Sequence, residues 1–169
     1  AYTSREQTAY YAKVFRADVP KAVDLLADIL QNSVLDPVNI ERERGVILRE
    51  AEEVGKQMDE VVFDHLHAVA FQGTALGQTI LGPDENINSI SRDDLVSYIK
   101  ENYNAGRMVL AAAGAVDHEA LVKLAEGAFS GLPKGPSIWK PSPTVYTGAE
   151  VRMTDESMPH AHMAIAVQG

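Results

Sequence analysis

The chain has 169 residues, 46% of them hydrophobic and 23% charged, which is an ordinary composition for one globular domain with a real core. Its formal net charge of −9 argues against a nucleic-acid partner and favours basic ones. There are no cysteines, which excludes disulfides, thiolate metal ligands and a cysteine nucleophile. No apolar run approaches the roughly 20 residues that a membrane-spanning helix needs.

The first half of the chain predicts a strand and two helices. Tyrosines and β-branched residues predict a strand over 8–15. Asp18 is placed to cap a helix that runs from Val19 to Asn32. Asp36 and Pro37 then predict a cap and first position of one long helix over 37–72, with Gly55 as the place where it would bend or split.

The second half alternates strands and helices. A glycine-bearing loop is predicted over 74–88, followed by a helix that a capping box of Ser91 and Asp94 opens. The remaining predicted elements are a buried strand over 107–115, a helix capped by Asp117 and ending near Phe129, a proline-rich connection over 131–143, and strands over 145–153 and 160–167. The pattern predicts an α+β fold, a two-layer sandwich with helices packed on a mostly antiparallel mixed sheet.

Acidic side chains share one face of the predicted long helix. At 100° per residue, five carboxylates project within an arc of roughly 100°, and these are Glu43, Glu50, Glu53, Glu60 and Asp64. Like charges one turn apart destabilise a helix by some tenths of a kcal/mol. The stripe therefore indicates either a bound cation, which could be a metal or a basic peptide, or an ordinary solvated face.

The metal-binding potential of the chain is limited by spacing. Glu43 and Glu50 are two turns apart, so their Cα atoms lie about 10 Å apart along the helix and they do not both bind one ion directly. One of them can be a ligand while the other acts from outside the coordination shell. His65 and His67 project from different helix faces and are interpreted as structural.

Four segments carry a resemblance to a known family: AYTSREQTAYYAKVF, IERERGVILREAEEV, DEVVFDHLHAVAFQ and TILGP. They closely resemble the pitrilysin/insulinase group of zinc metallopeptidases, in particular its mitochondrial branch of processing peptidases and complex III core subunits. The resemblance implies an incomplete half-domain of the processing-peptidase/LuxS type, with one partial domain over residues 1–169. The family's H-x-x-E-H motif is absent from this sequence, so the resemblance also implies a zinc-motif segment upstream and an inactive half downstream.

The resemblance further implies a role for each candidate residue. Glu50 would be the third ligand of one zinc ion, whose two histidine ligands lie outside this chain, and Glu43 would support the site without binding the metal. Glu60 and Asp64 would bind an arginine two residues before the cleavage point. The first strand, which contains Tyr2 and Thr3, matches the edge strand against which family substrates lie extended.

The implied function is removal of basic presequences from proteins imported into mitochondria, by a zinc metalloendopeptidase. Its partner would be the processing-peptidase α subunit in the matrix, or the core 2 subunit together with other complex III subunits on the matrix face of the inner membrane. The alternatives are a structural core 1 subunit of complex III, with or without peptidase activity, and a noncatalytic presequence-binding member. The 169 residues alone, without H-x-x-E-H, are expected to be inactive.

Overall fold

A computed structural model describes residues 1–134 and 143–168 of the chain. The described residues group into two compact units. The first unit holds residues 1–2, 8–37 and 91–134, and the second unit holds residues 3–7, 38–90 and 143–168. Most of the predicted proline-rich connection, residues 135–142, lies outside the described residues. The interpretation of residues 1–169 as one partial domain stays a prediction.

Three helices build the first unit: α1 (Val19–Gln31), α5 (Arg92–Asn102) and α6 (His118–Ala128). All three were expected. Of the three predicted caps, those at Ser91 and Asp117 form, whereas Asp18 lies at the N-cap position of α1 without a side-chain capping bond. Ser91 and Asp94 form the capping box of α5, and the Asp117 carboxylate accepts a hydrogen bond from Ala120 N at 2.9 Å. Helix α1 packs against α6, and two apolar residues of α1, Val23 and Ala27, are buried with only 6% and 3% of their surface exposed.

A polar contact closes the same helix pair. Gln31, the last residue of α1, donates from Nε2 to the Ala128 carbonyl at 2.8 Å and to the Ala27 carbonyl at 3.0 Å. The last turn of a helix leaves carbonyl oxygens without intrahelical donors. One amide therefore satisfies a carbonyl at the end of α6 while it fixes the end of α1.

The second unit contains α2 (Pro37–Val54), α3 (Met58–Ala70) and α4 (Asp84–Ser89). The helix predicted over 37–72 is split into two, and the break over residues 55–57 begins at Gly55, the position where the sequence predicts a bend or a split. Lys56 N and Gln57 N bond three residues back, to Glu53 O at 3.2 Å and Val54 O at 2.9 Å, which tightens and ends α2. Asp59 and Glu60 then lie in the first turn of α3, where acidic residues favour a new helix N-terminus.

The end of α3 is covered by two segments of the second unit. Thr147 donates from its backbone N to Ala70 O at 2.8 Å, and its hydroxyl lies 3.1 Å from the carbonyls of Val69 and Ala70. A 3₁₀ turn over Ala75–Gly77, which follows α3 closely in the sequence, also packs against α3. This turn and α4 occupy part of residues 74–88. The prediction that this segment is an irregular loop throughout is therefore wrong.

The strand content is smaller than the sequence predicts. Strands β1 (Tyr2–Thr3) and β2 (Thr8–Ala9) form a two-stranded antiparallel sheet. The predicted 8–15 strand keeps only its first two residues, and the described residues form no strands over 107–115, 145–153 or 160–167. An apolar segment supplies side chains for a sheet face, but it does not by itself supply hydrogen-bond partners for its backbone groups. Val109 is accordingly 93% exposed rather than buried.

The α+β class is confirmed, with six α-helices and one small sheet among residues 1–134 and 143–168. Within those residues, no helix has both the length and the apolar character required to cross a bilayer.

Candidate functional site

An acidic pair lies on the first two turns of α3. Glu60 is in the first turn and exposed, and Asp64 follows one turn later and is partly buried. Within the described part of the chain, the Glu60 side chain has no hydrogen bond or ion pair. Two carboxylates at this spacing can share one planar guanidinium. The geometry of the pair predicted from the sequence therefore survives the break between α2 and α3.

Asp64 already has a cationic partner, which sequence reasoning missed. The Arg5 guanidinium donates from Nη2 to Asp64 Oδ1. Its Nε donates to the Gln78 carbonyl at 3.2 Å, so the same side chain binds two segments. The Arg5 side chain is only 15% exposed and that of Asp64 is 31% exposed. No local sequence pattern predicts this ion pair, because Arg5 and Asp64 are 59 positions apart in the sequence.

A tight turn holds Arg5 in place. Ser4 N donates to Gln7 O at 2.8 Å, which closes the turn that follows β1. The Ser4 hydroxyl accepts hydrogen bonds from Glu6 N at 3.4 Å and Gln7 N at 3.2 Å. A serine at the first position of a turn commonly makes these local bonds. Arg5 therefore projects from a fixed turn rather than from a free N-terminal segment.

Glu43 and Glu50 both lie on α2, and both are exposed. Neither side chain has a hydrogen bond or ion pair within residues 1–134 and 143–168. Since α2 is continuous from 37 to 54, the separation of about 10 Å along the axis between their Cα atoms holds. Glu53, by contrast, pairs with Lys56 at 2.7 Å on the surface.

The five-member acidic stripe is wrong as a feature of one helix, because Glu43, Glu50 and Glu53 lie on α2 while Glu60 and Asp64 lie on α3. The arrangement consists instead of an acidic face on α2 and an acidic pair on α3.

Arg44 is a second part-buried arginine that the sequence did not point out. Its guanidinium donates to the Ile87 carbonyl and, at 2.8 Å, to the Ile90 carbonyl. It also pairs with Glu41 at 3.1 Å, and its side chain is 15% exposed. The planar guanidinium of Arg44 thus joins α2 to the end of α4 through several hydrogen bonds.

The described residues do not by themselves provide a metal site. Among them, no group of three histidine, aspartate or glutamate side chains lies close enough to hold an ion. The ring of His67 donates from Nδ1 to the Phe63 carbonyl at 2.7 Å, since a carbonyl can only accept. That bond fits the structural interpretation of this histidine. A three-ligand zinc site therefore does not fit these residues alone.

A cavity of about 370 Å³ lies beside the C-terminal half of α3 in the second unit. Aromatic rings line one part of it: the ring centroids of Phe71 lie 6.2 Å from His67 and 6.1 Å from Tyr146. Its lining is largely apolar, and neither Glu60 nor Asp64 contributes to it.

Tyr2 and Thr3 form β1, and both are exposed. The Tyr2 ring lies 6.5 Å from that of Tyr11, measured between centroids. Their predicted role as part of a substrate-binding edge strand stays a prediction.

Two family models match the chain. Residues 1–84 match insulinase (peptidase family M16), and residues 89–169 match the peptidase M16 inactive domain. The two matches follow each other along nearly the whole sequence. The chain therefore belongs to peptidase family M16, the insulinase family, as the sequence resemblance predicted.

Curated relatives are similar over essentially the full chain. The chain is 61% identical to mitochondrial-processing peptidase subunit beta of Lentinula edodes over 176 residues, covering 100% of the chain and 38% of that protein. The human protein of the same name is 58% identical over 171 residues, with 99% of the chain and 35% of the relative covered. The chain thus spans little more than a third of the length of these relatives.

A solved structure shares the fold. A chain of complex III2 from Candida albicans, with Inz-5 bound, matches with a TM-score of 0.72 and 26% identity, covering 86% of this chain and 35% of that one. Most of this chain thus shares its fold with about a third of a chain from that complex.

Proposed function

We propose that the full-length protein is the β-type subunit of a mitochondrial presequence-processing metallopeptidase. Membership of peptidase family M16 supports the peptidase class. Identities of 58% and 61% to proteins named mitochondrial-processing peptidase subunit beta support the narrower assignment and a mitochondrial location. The acidic composition, with a net charge of −9, suits basic presequence substrates.

The acidic pair on α3 is the observation that carries the proposal. Glu60 and Asp64 are one turn apart at the start of a helix, and Glu60 is exposed. Basic presequences are rich in arginine, and a planar guanidinium suits two neighbouring carboxylates. In this proposal the pair binds the arginine two residues before the cleavage point. Tyr2 and Thr3 would bind the extended substrate backbone.

Zinc would be held only in part by this chain. In the proposal Glu50 supplies one carboxylate ligand, and the histidine ligands come from outside these 169 residues. Glu43, two turns away on α2, orients the site without contacting the ion. When bound, zinc supplies Lewis-acid activation of water. The proposed partner is the α subunit, and the proposed location is the matrix.

A four-way comparison tests arginine recognition. Parent and Glu60→Gln/Asp64→Asn full-length proteins, each with the α partner, are assayed on presequence peptides with arginine or alanine at the recognised position. An ion pair in a partly closed cleft contributes roughly 1–3 kcal/mol, so the double variant is expected to lose about tenfold to a hundredfold in kcat/KM on arginine substrates. Alanine substrates should lose little.

The matched control is Asp59→Asn, which neutralises a neighbouring carboxylate in the same first turn of α3. It should retain the preference for arginine if general acidity is not the cause. Equal losses on both substrates would refute the proposed role of the pair. All assays need one ionic strength, because exposed charges are screened by salt.

A second candidate function is a core 1 subunit of complex III, with or without peptidase activity. The structural similarity to a chain of complex III2 favours it. Affinity purification of the tagged full-length protein from mitochondria separates the two: co-purification with a core 2 subunit and cytochromes supports this candidate, whereas a soluble pair with an α subunit supports the first.

A further inference from the structure

We infer that Arg5 is a positioning residue for arginine recognition: it orients Asp64 and ties the turn after β1 to α3. The inference rests on the recognition role proposed above for Glu60 and Asp64. It adds a residue that does not itself contact the substrate. Its starting point is the ion pair of Arg5 with Asp64 and the bond from Arg5 Nε to the Gln78 carbonyl.

The contacts of Arg5 favour a fixed structural cation over a loose surface pair. Most exposed ion pairs contribute little, because solvent screens them and long side chains lose entropy. Arg5 is different because its side chain is 15% exposed and bonded in two directions, to a carboxylate and to a backbone carbonyl. A guanidinium presents its donors in a rigid fork, so both bonds fix one orientation.

Asp64 keeps acceptor capacity despite this bond. Arg5 Nη2 occupies Oδ1, and a carboxylate offers about four lone-pair sites on its two oxygens. Oδ2 can therefore accept from a second guanidinium that Glu60 also binds. Arg5 would also offset the repulsion between two carboxylates one turn apart. Together the side chains of Glu60, Asp64 and Arg5 have a net charge of −1, which still attracts one cation.

The position of Arg5 in the sequence gives the contact a second consequence. It follows Thr3 by two residues, in a turn closed by the bond from Ser4 N to Gln7 O at 2.8 Å. Thr3 is proposed to bind the substrate backbone, and Asp64 its arginine side chain. Arg5 would therefore fix the distance between the backbone-binding and side-chain-binding groups, which is the register on which cleavage two residues after arginine depends.

The test uses the full-length protein with its α partner and the same arginine and alanine peptides. Arg5→Gln removes the guanidinium, Arg5→Lys keeps the charge without the fork, and Arg5→Gln is also combined with Asp64→Asn. The matched control is Arg42→Gln, because Arg42 is an exposed arginine on α2 that makes no ion pair in the described part of the chain.

Arg5→Gln is expected to raise KM for the arginine peptide about three- to tenfold, with little change in kcat and little change on the alanine peptide. Arg5→Lys should recover only part of the loss. On the Asp64→Asn background, Arg5→Gln should add less than on the parent, because Arg5 acts through Asp64. Arg42→Gln should leave the arginine preference intact.

Several results would overturn the inference. A lower KM for arginine peptides in Arg5→Gln would mean that Arg5 occupies the substrate site and competes with it. Equal losses on both peptides would mean a role in folding alone. Fully additive losses with Asp64→Asn would mean that Arg5 does not act through Asp64.

Should Arg5→Gln fail to fold, Arg5→Lys decides by the same criteria. A parent that does not distinguish the peptides refutes the recognition proposal itself, whereas a discriminating parent with an unaffected Arg5→Gln refutes only the positioning role.

Discussion

Gly77 lies so close to the Phe71 carbonyl that a Cβ on residue 77 would be 2.5 Å from that oxygen. Cβ atoms do not occupy such positions without a shift of the backbone. The 3₁₀ turn over Ala75–Gly77 packs on the end of α3 through this approach, and the next residue, Gln78, supplies the carbonyl that Arg5 binds. A glycine is therefore required here for close packing rather than for a positive φ angle.

Gly77→Ala should destabilise the full-length protein by about 1–3 kcal/mol, the usual cost of overpacking. The measurement is the free energy of unfolding from denaturant titration. Gly127→Ala is the matched control, because Gly127 lies in α6 with no atom within 4 Å of its added Cβ. That change should stabilise by about 0.5–1 kcal/mol through helix propensity. Equal effects of the two substitutions would contradict the packing argument.

Glu50→Gln should reduce the zinc content of the full-length protein well below one ion per subunit and abolish cleavage. The fold should persist, because the Glu50 side chain is exposed and makes no bond within the described residues. Metal analysis and thermal unfolding measure the two effects separately. Glu52→Gln, on the same helix and also exposed, should keep its zinc. Normal zinc occupancy in Glu50→Gln would remove Glu50 from the metal site.

Glu43→Gln should retain zinc and lower turnover by about tenfold to a hundredfold, which is typical of residues that orient metal ligands. Its Cα is about 10 Å from that of Glu50 along α2, so direct contact of both with one ion is not expected. Steady-state kinetics and metal analysis of the same sample give the comparison. Loss of zinc as complete as in Glu50→Gln would reverse the assigned roles.

Acid should weaken the N-terminus of α5. The Ser91 hydroxyl, at 2.7 Å, and the Ser91 backbone N–H, at 2.8 Å, donate to the Asp94 carboxylate and hold its pKa below the ordinary value of 3.8. A pKa lowered by folding gives stability that is present above the unfolded value and is lost as pH falls through the folded value. Thermal midpoints from pH 5 to 2 should therefore fall less in Asp94→Asn than in the parent. An identical acid limb in the two proteins would exclude the contribution.

The helices were the predictable part of the fold, because their signals are local. Asp18, Ser91 and Asp117 lie at the starts of α1, α5 and α6, where the sequence places helix N-termini. The break between α2 and α3 was also predictable, because Gly55 marks it in the sequence and the acidic residues Asp59 and Glu60 suit the start of the next helix.

The predicted strands and the cationic partners depend on residues distant in sequence. Apolar residues over 107–115 and 160–167 predict strands, but pairing needs a neighbouring backbone that no local pattern specifies. The same limit hid Arg5 and Arg44, whose acceptors Asp64 and Ile87 lie 59 and 43 positions away. The acidic pair itself was predictable, because i,i+4 spacing on a helix is a local property.

Arg44 has a consequence for the direction of the acidic face on α2. Its guanidinium is bonded to the carbonyls of Ile87 and Ile90, so turning α2 about its own axis would break both bonds. Glu43 is the residue directly before Arg44, and Glu50 lies on the same continuous helix. The direction in which both carboxylates project from α2 is therefore fixed by Arg44, a basic residue of the same helix that prevents rotation about the helix axis.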